Sequence, residues 1–157
     1  MTALDTTFDP DGEWLPVIGE ALPWVDLLLT SMGEAVHYAG SDDPLAVQRT
    51  FRRYGARRVV IKDGAQGCYV PSGGSLWRVP PPEVRVIDTT GAGDNFGAGF
   101  LAGVLRGFSP LDAARLAVTC GALSTESFGG EAPYRDFAPV WERARRLQVS
   151  CLGPCAA

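Results

Sequence analysis

Histidine is nearly absent: His37 is the only one in 157 residues. A Ser-His-Asp hydrolase would have to use it, and the G-x-S-x-G elbow such enzymes carry is also lacking. Cysteine is sparse. Cys68, Cys120, Cys151 and Cys155 are scattered rather than densely spaced as in a disulfide scaffold. Cys151 and Cys155 form a C-x-x-x-C pair with no second pair and no nearby histidine, too few ligands for structural zinc. No apolar stretch reaches the roughly 18 residues of a membrane span. No polybasic run offsets the net charge of −4, which argues against nucleic acid as a partner. The N-terminus has neither the basic region nor the apolar core of a signal peptide, so a cytoplasmic protein with reduced thiols is expected. The G-x-x-x-x-G-K-[ST] phosphate loop is missing too.

What remains is ordinary globular material, 46% hydrophobic and 20% charged, of a length that suits one domain. Short apolar runs alternate with helical patterns. Strands are expected at Ala3–Phe8, Val25–Leu29, Arg58–Ile61, Cys68–Val70, Leu76–Val79 and Val84–Ile87. Pro71-Ser72-Gly73-Gly74 reads as a hairpin turn. Helices are expected within Glu13–Leu22, at Glu34–Tyr38, from Asp43-Pro44 to Tyr54, at Asp94–Arg106, from Ser109-Pro110 to Ser124, and at Phe137–Val149. The order of elements predicts a mainly parallel α/β layer.

The stretch that carries chemistry is Val86-Ile87-Asp88-Thr89-Thr90-Gly91-Ala92-Gly93-Asp94-Asn95-Phe96-Gly97-Ala98-Gly99-Phe100. It reads as a buried strand, a tight glycine turn and a helix start. N–H groups at a helix start are unpaired, and the helix dipole adds positive charge there. Glycines let a ligand come close to the backbone. Together these features make an anion site suited to phosphate or to a transferring phosphoryl group. The dinucleotide fingerprint is excluded, because its third glycine would fall at Phe96. Asp94 beside such a site is placed to take a proton from a hydroxyl nucleophile. On spacing alone, a plain helix-start turn with an acidic cap stays open as the alternative.

Asp88 to Phe100 resembles the C-terminal signature of the ribokinase-like (PfkB) carbohydrate kinases, D-T-[TV]-G-A-G-D-x-F-x-x-G-F, at every fixed position. Other pieces fall in the family's order. Phe8-Asp9-Pro10 with Trp14 resembles the strand-loop before the phosphate region, and Ser31-Met32-Gly33-Glu34 resembles N-x-x-E. Lys62-Asp63-Gly64-Ala65-Gln66-Gly67 resembles the T-x-G-x-x-G turn, and Ala113 to Ala122 the alanine-rich helix beside adenine. The resemblance implies a ribokinase-like (Rossmann-like) three-layer α/β sandwich lacking the N-terminal half and lid. Residues 1–157 would be its C-terminal nucleotide-binding and catalytic portion.

It further implies transfer of the γ-phosphoryl of ATP to a hydroxyl of a sugar or related small molecule. Asp94 would be the base, and Gly91, Ala92 and Gly93 the anion hole. Lys62, Gly64 and Gly67 would contact the nucleotide. Glu34 would act on Mg2+ through water, and Asp88 and Thr90 match positions that hold a monovalent cation, making K+ a further candidate. Blander readings stay open for Glu34 (a surface helix start), Lys62 (a solvated strand end), Gly64 and Gly67 (turn glycines) and Asp88 (a cap).

Two positions depart from the pattern: Ser31 replaces asparagine in N-x-x-E, and Lys62 stands where threonine is frequent. No residue matches the sugar-binding elements of the family's first half. The expectation is therefore a truncated gene product, a cloned piece or one part of a split enzyme, with a homodimer or a second chain supplying the acceptor site. The alternative is a non-catalytic nucleotide-binding module.

Overall fold

The computed structural model describes residues 1–131, 134 and 136–155. A six-stranded sheet runs in sequence order, with β1 (Ala3–Asp5), β2 (Leu27–Ser31), β3 (Val59–Lys62), β4 (Cys68–Ser72), β5 (Ser75–Val79) and β6 (Ser150–Pro154). The pairings β1–β2 and β2–β3 are parallel, while β4, β5 and β6 extend the sheet antiparallel. The parallel part is thus concentrated where β1, β2 and β3 end together, which is where the motif residues gather.

Side-chain alternation along the strands builds a layer on each face. Leu27, Leu29 and Val60 pack with Phe96, Phe100, Ala113 and Ala117 of α4 (Ala92–Leu105) and α5 (Pro110–Ser124). Leu28, Val59 and Ile61 face the other way, onto Ala35, Tyr38, Val47 and Phe51 of α2 (Met32–Ala39) and α3 (Pro44–Arg53). The short α1 (Leu15–Ile18), limited by Pro16, lies on this second face, and α6 (Phe137–Ala144) packs on α5 through Val140. The result is the expected three-layer α/β sandwich.

Local rules place the helix starts. Asp43 accepts hydrogen bonds from the N–H groups of Leu45 and Ala46, with Pro44 at the first helical position. Ser109 caps α5 through the N–H of Asp112.

Two expectations are corrected. Val84–Ile87 is not a strand, and Val86 and Ile87 are exposed. β6 already occupies the free edge of β5. The segment instead crosses the end of α5, where the Ile87 and Asp88 N–H groups both donate to the Thr125 carbonyl. The helix expected to run to Val149 stops at Ala144, because Leu147 and Val149 turn back onto the core and lead into β6. That strand was not expected: a run holding Gly153 and Pro154 has little intrinsic strand preference and is set by pairing with β5.

Candidate active site

Asp5, Ser31 and Lys62 stand at the carboxyl ends of three adjacent parallel strands, the end where open α/β sheets bind ligands. Lys62 Nζ lies 2.6 Å from Asp5 Oδ1, with side-chain exposures of 16% and 36%. Ser31 starts α2 with a reciprocal capping box: its hydroxyl accepts from the Glu34 N–H (3.2 Å), and Glu34 Oε2 accepts from the Ser31 N–H (3.1 Å). Serine at this position of the N-x-x-E segment therefore serves as the N-cap of α2. Glu34 Oε2 also accepts from the Thr6 hydroxyl at 2.6 Å, which aims the carboxylate at the strand ends.

The glycine turn meets this group from the opposite layer. Gly91 is the N-cap of α4 in the left-handed conformation (φ 71°), and Asp94 stands exposed in the first turn. The Ala92 N–H is turned back onto the Thr89 carbonyl at 3.1 Å, so it is not a free anion donor. The N–H groups of Gly91, Gly93 and Asp94 have no acceptor among the described residues. Lys62 Nζ lies 3.8 Å from where a side chain on Gly93 would begin, and Asp5 Oδ2 is 3.6 Å from the same point on Gly97. Burial holds the Asp5 carboxyl above its ordinary range; Lys62 opposes this, and the charges of Glu34 and Asp94 reinforce it. Asp5, Glu34, Asp94 and Lys62 thus share one electrostatic environment.

Asp88 and Thr90 form a separate flank. Asp88 Oδ1 accepts from the Thr90 N–H (2.9 Å) and hydroxyl (2.8 Å), and Oδ2 accepts from the Gly129 N–H (2.9 Å). The Gly129 N–H first, then the Thr90 donors, hold this carboxyl below its ordinary range. Asn95 donates from Nδ2 to the carbonyls of Gly91 (3.0 Å) and Gly130 (3.1 Å). The Gly129–Gly130 loop therefore lies against the turn, and Ala132, Pro133 and Arg135 fall outside the described residues.

Other residues singled out from sequence have structural duties as well. Gly67 (φ 93°) is required by the sheet, since a side chain there would begin 2.0 Å from the Val79 carbonyl oxygen; Gly64 is open. Ala113, Ala114 and Ala117 are fully buried, with Ala113 and Ala117 facing Gly103 and Gly99 of α4, so they serve helix packing rather than line an open pocket. Sequence reading missed Asp5, Thr6 and Asn95. An acidic residue ending a strand was the only local sign of the first.

The pfkB family of carbohydrate kinases matches residues 3–136. The chain is 30% identical to the ribokinase of Lactococcus lactis over 106 residues, covering 68% of this chain and 35% of that protein. It is 34% identical to the fructokinase of Klebsiella pneumoniae over 128 residues, 76% of this chain and 42% of that protein. Among solved structures, a candidate ribokinase II from E. coli, in complex with ATP and Mg2+, superposes with a TM-score of 0.77 at 25% identity, over 92% of this chain and 48% of that one. The chain spans less than half the length of these relatives.

Proposed function

The chain belongs to the pfkB family of carbohydrate kinases, and from that premise we propose that it is the nucleotide-binding and catalytic portion of an ATP-dependent sugar kinase. The observation that carries the reading is the meeting of the Gly91–Asp94 turn with the Lys62–Asp5 pair across the ends of the parallel strands.

The donor set suits a triphosphate. The N–H groups of Gly91, Gly93 and Asp94, the positive end of α4 and the Lys62 ammonium are all donors or positive charge, matching the γ-phosphoryl oxygens as charge shifts among them. Asp94 takes the proton of the acceptor hydroxyl as the acceptor oxygen bonds to the γ-phosphorus and the bond from that phosphorus to the β–γ bridging oxygen breaks, releasing ADP. Glu34, oriented by Thr6 and Ser31, is the residue that would hold Mg2+ through water; when bound, that ion would offset phosphate charge. Asp88 and Thr90 are assigned to shaping the loop, with K+ a further candidate at that flank. The acceptor is a sugar or a related small molecule with a free hydroxyl, and a second chain or a further segment would supply its binding groups. A soluble cytoplasmic setting suits such a substrate.

The test pairs calorimetry, using a non-hydrolysable ATP analogue with Mg2+, with phosphotransfer assays over a panel of sugars. Where turnover is measured, Asp94→Asn should lower kcat by about 10²- to 10⁴-fold and leave nucleotide affinity within about twofold. An equal loss of nucleotide binding would refute the base assignment. The alternative reading is a nucleotide-binding module that transfers no phosphoryl group. Nucleotide binding with no turnover on any sugar, even with the remaining segment supplied, would select it.

A further inference from the structure

Asn95 occupies the one unspecified position between the aspartate and the first phenylalanine of the motif, yet it makes the contacts that join two loops. It sits one turn into α4, where side chains tilt back toward the helix start. Its amide nitrogen reaches the Gly91 carbonyl of the phosphate turn and the Gly130 carbonyl, 35 residues further on, at 3.0 and 3.1 Å. The Tyr134 hydroxyl lies 3.4 Å from Asn95 Oδ1.

Two more contacts tie the same loop down. The Gly129 N–H donates to Asp88, and the backbones of Gly91 and Gly130 are in direct contact. A side chain on Gly91 would begin 3.2 Å from Gly130 Cα, and one on Gly130 would begin 2.7 Å from the Thr90 carbonyl oxygen. Both glycines have positive φ, 71° each, so the contact depends on residues without side chains. The Gly91 carbonyl also accepts from the Asn95 N–H at 2.9 Å, so what the side-chain amide adds is the link from that carbonyl to the one of Gly130. A primary amide has two N–H bonds on one nitrogen and can serve both.

We propose that Asn95 is a positioning residue: it clamps the Phe128–Gly130 loop onto Gly91 and so fixes the turn whose N–H groups receive the γ-phosphate. The proposal rests on the reading of that turn as the phosphate site. It acts through Gly91 and the loop, with no contact to the reacting atoms required. Aspartate has the same shape and keeps an acceptor for Tyr134, but offers no donor to the two carbonyls.

Amide hydrogen exchange across Ser127–Glu131 reads the clamp directly, on the full 157-residue chain without ligand. Asn95→Ala and Asn95→Asp should each speed exchange at Gly129 and Gly130 by at least tenfold, while Tyr134→Phe changes it less than threefold. Unchanged exchange in Asn95→Asp overturns the clamp, whatever the protein binds. Calorimetry then compares ADP with the non-hydrolysable ATP analogue, each with Mg2+. Asn95→Asp should weaken the analogue about tenfold more than ADP, since only the former carries a γ-phosphate. Equal losses overturn the positioning role. A wild-type chain that binds neither nucleotide defeats the phosphate-site reading and the positioning role with it, while the exchange result still decides the clamp.

Discussion

Lys62 is the only lysine in the chain, and it is held on Asp5 rather than left in solvent. Asp5 and Asp88 respond to pH in opposite directions. Asp5 is raised above 3.8 mainly by burial, so its ionised form is disfavoured in the folded state. Its contribution to stability is complete below 3.8 and is lost as pH rises through its folded value. Asp88 is held below 3.8 by backbone and side-chain donors, so its contribution is present above 3.8 and is lost as pH falls through its folded value. Thermal melts at pH 3 and pH 7 should therefore diverge. Asp5→Asn should gain in Tm relative to wild type on going from pH 3 to pH 7, and Asp88→Asn should lose. A shift of the same sign in both would contradict the assigned causes. Asp94 and its glycines were legible in the sequence because the turn is a local run of residues. Asp5 and Asn95 were not, because their partners lie 57 and 35 residues away and only the fold brings them together.

At the scale of elements, α4 and α5 approach closely because Gly99 and Gly103 leave room for Cys120, Ala117 and Ala113. Alanine has the higher helix propensity, by about 1 kcal/mol. A methyl on Gly103, however, would begin 2.9 Å from Ala113 Cα, and overpacking of this kind costs about 1–3 kcal/mol. Gly103→Ala should therefore lower the midpoint of urea unfolding, against the direction propensity alone gives. Helix starts were readable from the sequence, since Asp43-Pro44 and Ser109-Pro110 carry their own capping chemistry. Strands were less so. Val84–Ile87 has the β-branched residues of a strand but ends in hydrogen bonds to the Thr125 carbonyl at the end of α5, whereas Ser150–Pro154 lacks them and pairs with β5.

For the whole molecule, the sheet separates two apolar layers that share β2 and β3, so alternate residues of one strand belong to different clusters. Leu28 and Val59 support the layer of α2 and α3, while Leu29 and Val60 support the layer that carries Asp94. The site lies between these layers, with Glu34 from one and Asp94 from the other, and its geometry depends on both remaining packed. The α4–α5 pair has a kinetic consequence. Only residues 106–109 separate the two helices, whereas β2 must find β3 across 27 intervening residues. Contacts that close short loops form early, and sequence-distant strand pairing comes later. In stopped-flow refolding, Phe100→Leu should chiefly slow the folding arm, and Leu28→Ala should chiefly speed unfolding. The helical hairpin that starts at the Gly91–Asp94 turn would then be the folding nucleus, assembled before the strand ends of the candidate site.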